Sequence, residues 1–132
     1  MSERNGRVVS IVDDDASLRR SVRNLLTSVG FRAETFASAE EFSSSVHREN
    51  IGCLVLDLRM AGMSGLDLLG HLTAVGSPIP VVILTAHGDD EARERSLHAG
   101  AVAFLKKPFQ GDALLDAVRT ALDHGELHGR RD

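Results

Sequence analysis

The sequence predicts a single α/β domain, a doubly wound sandwich around a parallel five-stranded sheet. Its 132 residues are the length of one domain and enough to bury a core without disulfides. Short apolar runs alternate with helical signals five times, the pattern of a parallel sheet covered on both faces. Four runs also end on residues that carry chemistry: Asp14, Asp57, Thr85 and Lys107. In an open parallel sheet, ligands bind outside the carboxyl ends of the strands.

The first strand is Val8 to Val12. Leu18, Val22, Leu25, Leu26 and Val29 then recur at helical spacing, and Gly30 supplies a stop. Arg32 to Phe36 is a shorter, more polar strand, as suits a sheet edge. Ser38-Ala39-Glu40-Glu41 reads as a capping box for a helix with Phe42 and Val46 on one face. The third strand is Ile51 to Leu56. Ser64 caps a third helix carrying Leu66, Leu69 and Leu72, which ends near Gly76. Pro78 and Pro80 forbid helix and lead into the fourth strand, Val81 to Leu84. The fourth helix, Asp89 to Ala99, offers only Ala92, Leu97 and Ala99 as apolar residues, so it buries little area and is loosely held. Ala101 to Leu105 is the fifth strand. The last helix carries Leu114, Leu115, Val118, Ala121 and Leu122, and from Gly125 the chain is polar and expected to fray. Residues 1–124 are thus read as the domain and 125–132 as a polar tail or the start of a linker.

Composition excludes several classes. A formal net charge of −4 argues against a nucleic-acid surface. No apolar stretch approaches the ~18 residues of a membrane span, and no signal-peptide core is present. Cys53 is the single cysteine. It reads as a small buried hydrophobe and permits no intrachain disulfide, which fits a reducing cytosol. His124 and His128 stand at a helical metal-ligand spacing, but Gly125 and Gly129 flank them, and the pair is read as part of the polar tail.

Asp13-Asp14-Asp15 follows the first strand, where Asp15 suits a helix cap. Alone the triplet says little. With Asp57 at the end of a neighbouring strand it becomes a cluster of mutually repelling carboxylates, tolerable when a cation sits among them. Hard oxygen donors suit Mg²⁺ or Mn²⁺, and no thiolate or imidazole cluster favours zinc. Thr85 can donate a hydrogen bond to a phosphoryl oxygen. Lys107 precedes Pro108 in a constrained turn that admits a cis bond and would aim the ammonium inward. Strand alternation puts Lys106 and Lys107 on opposite sides, so Lys107 is taken as the site cation.

These residues carry a resemblance. Over roughly residues 6–124 the chain resembles the receiver domain of two-component response regulators. The matching stretches are Ile11-Val12-Asp13-Asp14-Asp15, Leu54-Val55-Leu56-Asp57-Leu58-Arg59-Met60, Gly62-Met63-Ser64-Gly65, Leu84-Thr85-Ala86 and Ala99 to Phe109. Thr85 to Asp89 and Phe104 to Phe109 look most like the FixJ type. The resemblance implies a flavodoxin-like (βα)5 fold with sheet order 2-1-3-4-5. It also implies that Asp57 is the phosphoacceptor, that Asp14 binds Mg²⁺ directly and Asp13 through water, and that the Arg59 backbone carbonyl completes the shell. Thr85 and Lys107 would contact the phosphoryl group, Phe104 would be the aromatic switch, and Arg59 and His87 would tune the rates.

Further expectations follow from the resemblance. The partner is a sensor histidine kinase or a phosphotransfer protein, and the domain is a switch that catalyses its own phosphorylation and slow dephosphorylation rather than an enzyme acting on other substrates. A phosphorylation-dependent homodimer would form through the fourth helix and fifth strand, in the cytoplasm. Ala61 stands where the family usually has Pro, which leaves that loop freer. Three rivals share parts of the pattern. A flavin or nucleotide binder needs a phosphate cradle where this chain has three aspartates. An aspartyl phosphatase needs a general acid that is not evident. A receiver-like interaction module that is never phosphorylated has no need of the intact acidic set. FixJ-type receivers usually precede a helix-turn-helix domain, so the chain is read either as a stand-alone receiver or as one whose output domain has been removed.

Overall fold

The computed structural model describes residues 7–44, 50–60, 62–86 and 89–130, with the backbone alone for 124–130. Five strands and five helices alternate: β1 Val8–Val12, α1 Ala16–Ser28, β2 Arg32–Phe36, α2 Ala39–Ser43, β3 Ile51–Leu56, α3 Gly65–Ala74, β4 Val81–Thr85, α4 Asp90–His98, β5 Ala103–Lys106 and α5 Gly111–Arg130. All pairings are parallel and the order is β2-β1-β3-β4-β5, the flavodoxin-like layout. The chain starts in the middle of the sheet, winds outward to β2, then crosses to β3 and the other side. That reversal leaves a crevice above the carboxyl ends of β1 and β3.

Strand alternation feeds two cores. Val9, Ile11, Cys53, Val55, Val82 and Leu84 face α1 and α5, where they meet Val22, Leu26, Leu114, Val118 and Leu122. Val12, Leu54, Leu56, Val81 and Ile83 face the opposite layer, where they meet Phe42, Leu68, Leu69 and Leu72. Cys53 is fully buried in the first core, and burial pushes its thiol up to about 12, so it is a packing residue. β2 is the partly exposed edge strand.

The caps are those the sequence predicts. Asp15 accepts the amides of Ser17 and Leu18, Ser38 that of Glu41, and Ser64 that of Asp67. Gly30 follows α1 with φ +96°, a conformation that favours glycine. Val46 lies outside the described residues.

The structure differs from the sequence reading in several details. α3 buries Leu68, Leu69 and Leu72 while Leu66 is half-buried. Leu66 still packs on the same core, and the helix opens at Gly65, whose amide donates to the Leu58 carbonyl. A Cβ at Gly65 would overlap the Asp57 carbonyl oxygen, so only glycine lets α3 begin this close to the end of β3. β5 begins at Ala103 rather than Ala101, because the Ala101 amide is taken by the Ser96 carbonyl at the end of α4. α5 continues to Arg130, where a frayed segment was expected from Gly125. A helical glycine costs only about 1 kcal/mol relative to alanine, which does not by itself stop a long helix.

α4 stands apart, as its composition predicts. Ser96 is its one buried residue, and Leu97 is 36% exposed. The helix at the opposite edge of the same face is held far more firmly: in α2, Phe42 is fully buried and meets Phe36 edge to face at 5.5 Å. Phe42→Ala should therefore lose about 3–5 kcal/mol of unfolding free energy. Leu97→Ala should lose under about 1 kcal/mol. Urea titrations followed by far-ultraviolet circular dichroism would check both.

Candidate functional site

The ladder hydrogen bonds run one residue past the strand ends and so fix the rim. The Asp13 amide donates to the Phe36 carbonyl, the Asp57 amide to the Val12 carbonyl and the Lys107 amide to the Thr85 carbonyl. Backbones held this way place their side chains with little freedom. Asp13 and Asp57 are buried, Thr85 is fully buried, and Asp14 is exposed at the mouth.

One oxygen from each of Asp13, Asp14 and Asp57 lies within 4.8 Å of the others. Lys107 reaches over from the turn after β5. Its Nζ is 2.8 Å from Asp13 Oδ2 and 3.6 Å from Asp57 Oδ2, while Lys106 is exposed. The Lys107-Pro108 bond is cis. Four segments thus converge on one rim, with three carboxylates against one ammonium.

That imbalance shows in the protonation behaviour. Burial, more than any other influence, raises the Asp13 carboxyl above its ordinary value, and the Asp57 charge adds to this. The Lys107 hydrogen bond and the Asp15 amide oppose the rise without cancelling it. Burial would lower the Lys107 ammonium, but the bond to Asp13 and the charges of Asp13 and Asp57 outweigh it and raise it. By count, three clustered carboxylates face one ammonium, so the rim can accommodate further positive charge. A hard divalent cation fits such a place, since the clustered donors of Asp13, Asp14 and Asp57 are all carboxylate oxygens.

Phe104 pairs with Ile83 across β4 and β5, is partly buried, and packs on the core layer that contains α4. By alternation Thr85 and Phe104 face the same side of the sheet. The Arg59 amide approaches Asp57 Oδ1 at 3.5 Å. Beside Arg59 a cleft of about 260 Å³ opens toward α4, lined by Leu58, Leu66, Asp89, Ala92 and Arg95 among others. His87 and Ala61 lie outside the described residues.

Three residues of the site had no role assigned from sequence. Arg19 donates from Nη1 to the Asp13 carbonyl at 2.7 Å, bracing the acidic loop from one turn into α1. Glu40 accepts the Met63 amide at 2.9 Å. Gly65 admits the close approach to Asp57 described above. A glycine directly after a capping serine was a usable signal for the last. Partners 6 and 23 residues apart leave no periodic trace for the other two.

The raised Asp13 carboxyl has a consequence for stability. Above the ordinary value of 3.8 the folded protein holds this proton longer than the unfolded chain does. Stability at this group therefore falls as pH rises from 3.8 through the raised folded value. At neutral pH in chelator, Asp13→Asn should unfold at higher urea than the unmodified protein, and added Mg²⁺ should narrow or reverse the gap.

Comparison with known proteins agrees with this geometry. The response regulator receiver domain family matches residues 9–119. The response regulator protein TodT of Pseudomonas putida is 42% identical over 122 residues, which are 92% of this chain and 53% of TodT. The transcriptional regulatory protein FixJ of Bradyrhizobium diazoefficiens is 38% identical over 118 residues, 89% of this chain and 58% of FixJ. The solved structure of the response regulator StyR superposes with a TM-score of 0.88 at 47% identity, covering 96% of this chain and 64% of that one. The chain spans about half the length of the curated relatives it matches. It belongs to the receiver domain family of two-component response regulators, with FixJ among its relatives, the type that its Thr85–Asp89 and Phe104–Phe109 stretches resemble.

Proposed function

We propose that the domain accepts a phosphoryl group on Asp57 from a phosphohistidine of a sensor histidine kinase or phosphotransfer protein. The observation that carries this reading is the convergence of Asp13, Asp14, Asp57 and Lys107 on one rim, with the ammonium 2.8 Å from Asp13 and 3.6 Å from Asp57.

An Asp57 carboxylate oxygen attacks phosphorus, the P–N bond to the imidazole breaks, and the imidazole leaves with the electron pair. Asp13, Asp14, Asp57 and the Arg59 carbonyl are the residues that would hold Mg²⁺ or Mn²⁺, which when bound offsets the repulsion between an anionic nucleophile and an anionic phosphoryl group. Lys107 serves the same end from the other side, since it already sits between the two buried aspartates. The acyl phosphate adds about one negative charge relative to the carboxylate, with new acceptor oxygens. Lys107 shifts its contact from Asp13 toward these oxygens, and the Thr85 hydroxyl donates to one of them. Phe104, on the same sheet face as Thr85, turns inward as Thr85 moves. α4, docked through little buried surface, shifts with it.

The equilibrium between two arrangements of the α4-β5-α5 face is thereby biased by contacts at one acyl phosphate. That face controls the output and, when phosphorylated, pairs with a second copy through α4 and β5. Autodephosphorylation is slow, with Arg59 and His87 tuning the rate.

Incubation with Mg²⁺ and a small phosphoryl donor, followed by intact mass, tests the reading. One adduct is expected in the unmodified protein and none in Asp57→Asn or in chelator. No adduct in folded, metal-loaded protein would favour a receiver that signals by contact alone. Sedimentation of the phosphorylated form should show a heavier species than the unphosphorylated one, and equal sedimentation would remove the dimer.

A further inference from the structure

The loop from Asp57 to Ser64 carries the Arg59 carbonyl and lacks the proline that usually stiffens it, since Ala61 stands there. Two hydrogen bonds tie its described residues to the rest of the domain. At its base, the Gly65 amide donates to the Leu58 carbonyl at 2.8 Å. At its far side, the Met63 amide donates to Glu40 Oε2 at 2.9 Å.

Glu40 is well placed for such a task. It lies in the first turn of α2, which Ser38 caps and which Phe42 anchors in the core. The anchor is therefore rigid although the carboxylate itself is exposed. Gly62 adopts φ +79°, and a Cβ there would come within 2.7 Å of Glu40 Oε2, so the loop backbone is shaped to admit the carboxylate. The Met63 amide, and then its own amide, hold the Glu40 carboxyl below its ordinary value.

We propose that Glu40 is a positioning residue for the acidic site: by accepting the Met63 amide it holds the loop and thereby sets where the Arg59 carbonyl stands relative to Asp57. This rests on the metal-binding reading above. Glu40 touches neither metal nor phosphoryl group. It does the work that a proline in the loop would do, through a bond that reaches across from α2.

The test uses three variants of the full chain. Glu40→Gln keeps an acceptor of the same reach. Glu40→Asp keeps the charge at the helix start but falls short of Met63. Glu40→Ala removes both. A positioning role makes Glu→Gln resemble the unmodified protein and Glu→Asp resemble Glu→Ala. A role limited to charge near the α2 N-terminus gives the opposite pairing, and that result would overturn the proposal.

Mn²⁺ affinity, read by loss of the free-ion electron paramagnetic resonance signal, should weaken about three- to tenfold in Glu→Asp and Glu→Ala, the range of one net hydrogen bond. The Met63 amide should exchange faster by a similar factor in metal-free protein. Unchanged Mn²⁺ affinity in both variants would also overturn the proposal. Adduct formation on Asp57 in the unmodified protein, measured alongside, separates a failure of Glu40's role from a failure of the phosphoacceptor reading.

Discussion

Two carboxylates buried at one rim with a single ammonium between them constrain everything else in this domain. Burial penalises charge, and like charges penalise each other. Lys107 relieves part of this, yet burial first, and the Asp57 charge after it, still raise the Asp13 carboxyl above its ordinary value. A site in that condition has affinity for whatever brings positive charge. Burying the Asp13 carboxylate costs stability at pH values above its raised folded value.

Holding the rim against its own repulsion requires a stiff frame. The frame is the sheet, whose ladder bonds continue onto the Asp13, Asp57 and Lys107 amides. Two packed cores clamp it from both sides. Arg19 secures the Asp13 carbonyl, and Gly65 lets α3 start directly against Asp57. Rigid support on this side contrasts with α4 on the other. There a short, polar helix buries one serine, whose hydroxyl has no hydrogen-bond partner among the described residues. An element so weakly docked responds to a small free-energy difference at the site, whereas the central strands cannot.

The strands were legible because apolar runs bounded by turn residues are a local signal, and the parallel arrangement followed from their alternation with helices. The caps at Asp15, Ser38 and Ser64 were legible for the same reason: a cap and its amides lie within three residues. Phase was harder. Leu66, Leu69 and Leu72 all pack on the core as the helical stripe suggests, and Leu68, which the stripe omits, is buried with them. The start of β5 was set by the Ser96 carbonyl claiming the Ala101 amide, a contact between an element's end and the next one's beginning.

By itself the sequence determined which chemical groups stand at the strand ends, because strand position and residue type are both written locally. It thereby determined the fold class and the candidate site residues Asp13, Asp14, Asp57, Thr85 and Lys107. Tertiary structure alone decided the balance of charge among them. It put Lys107 Nζ nearer Asp13 than Asp57, left Asp14 exposed, and bound the Met63 amide to Glu40. The physical reason is range. Propensity, capping and periodicity act over a few residues of chain, while desolvation, ion pairing and close backbone approach depend on distances that exist only once the sheet has assembled.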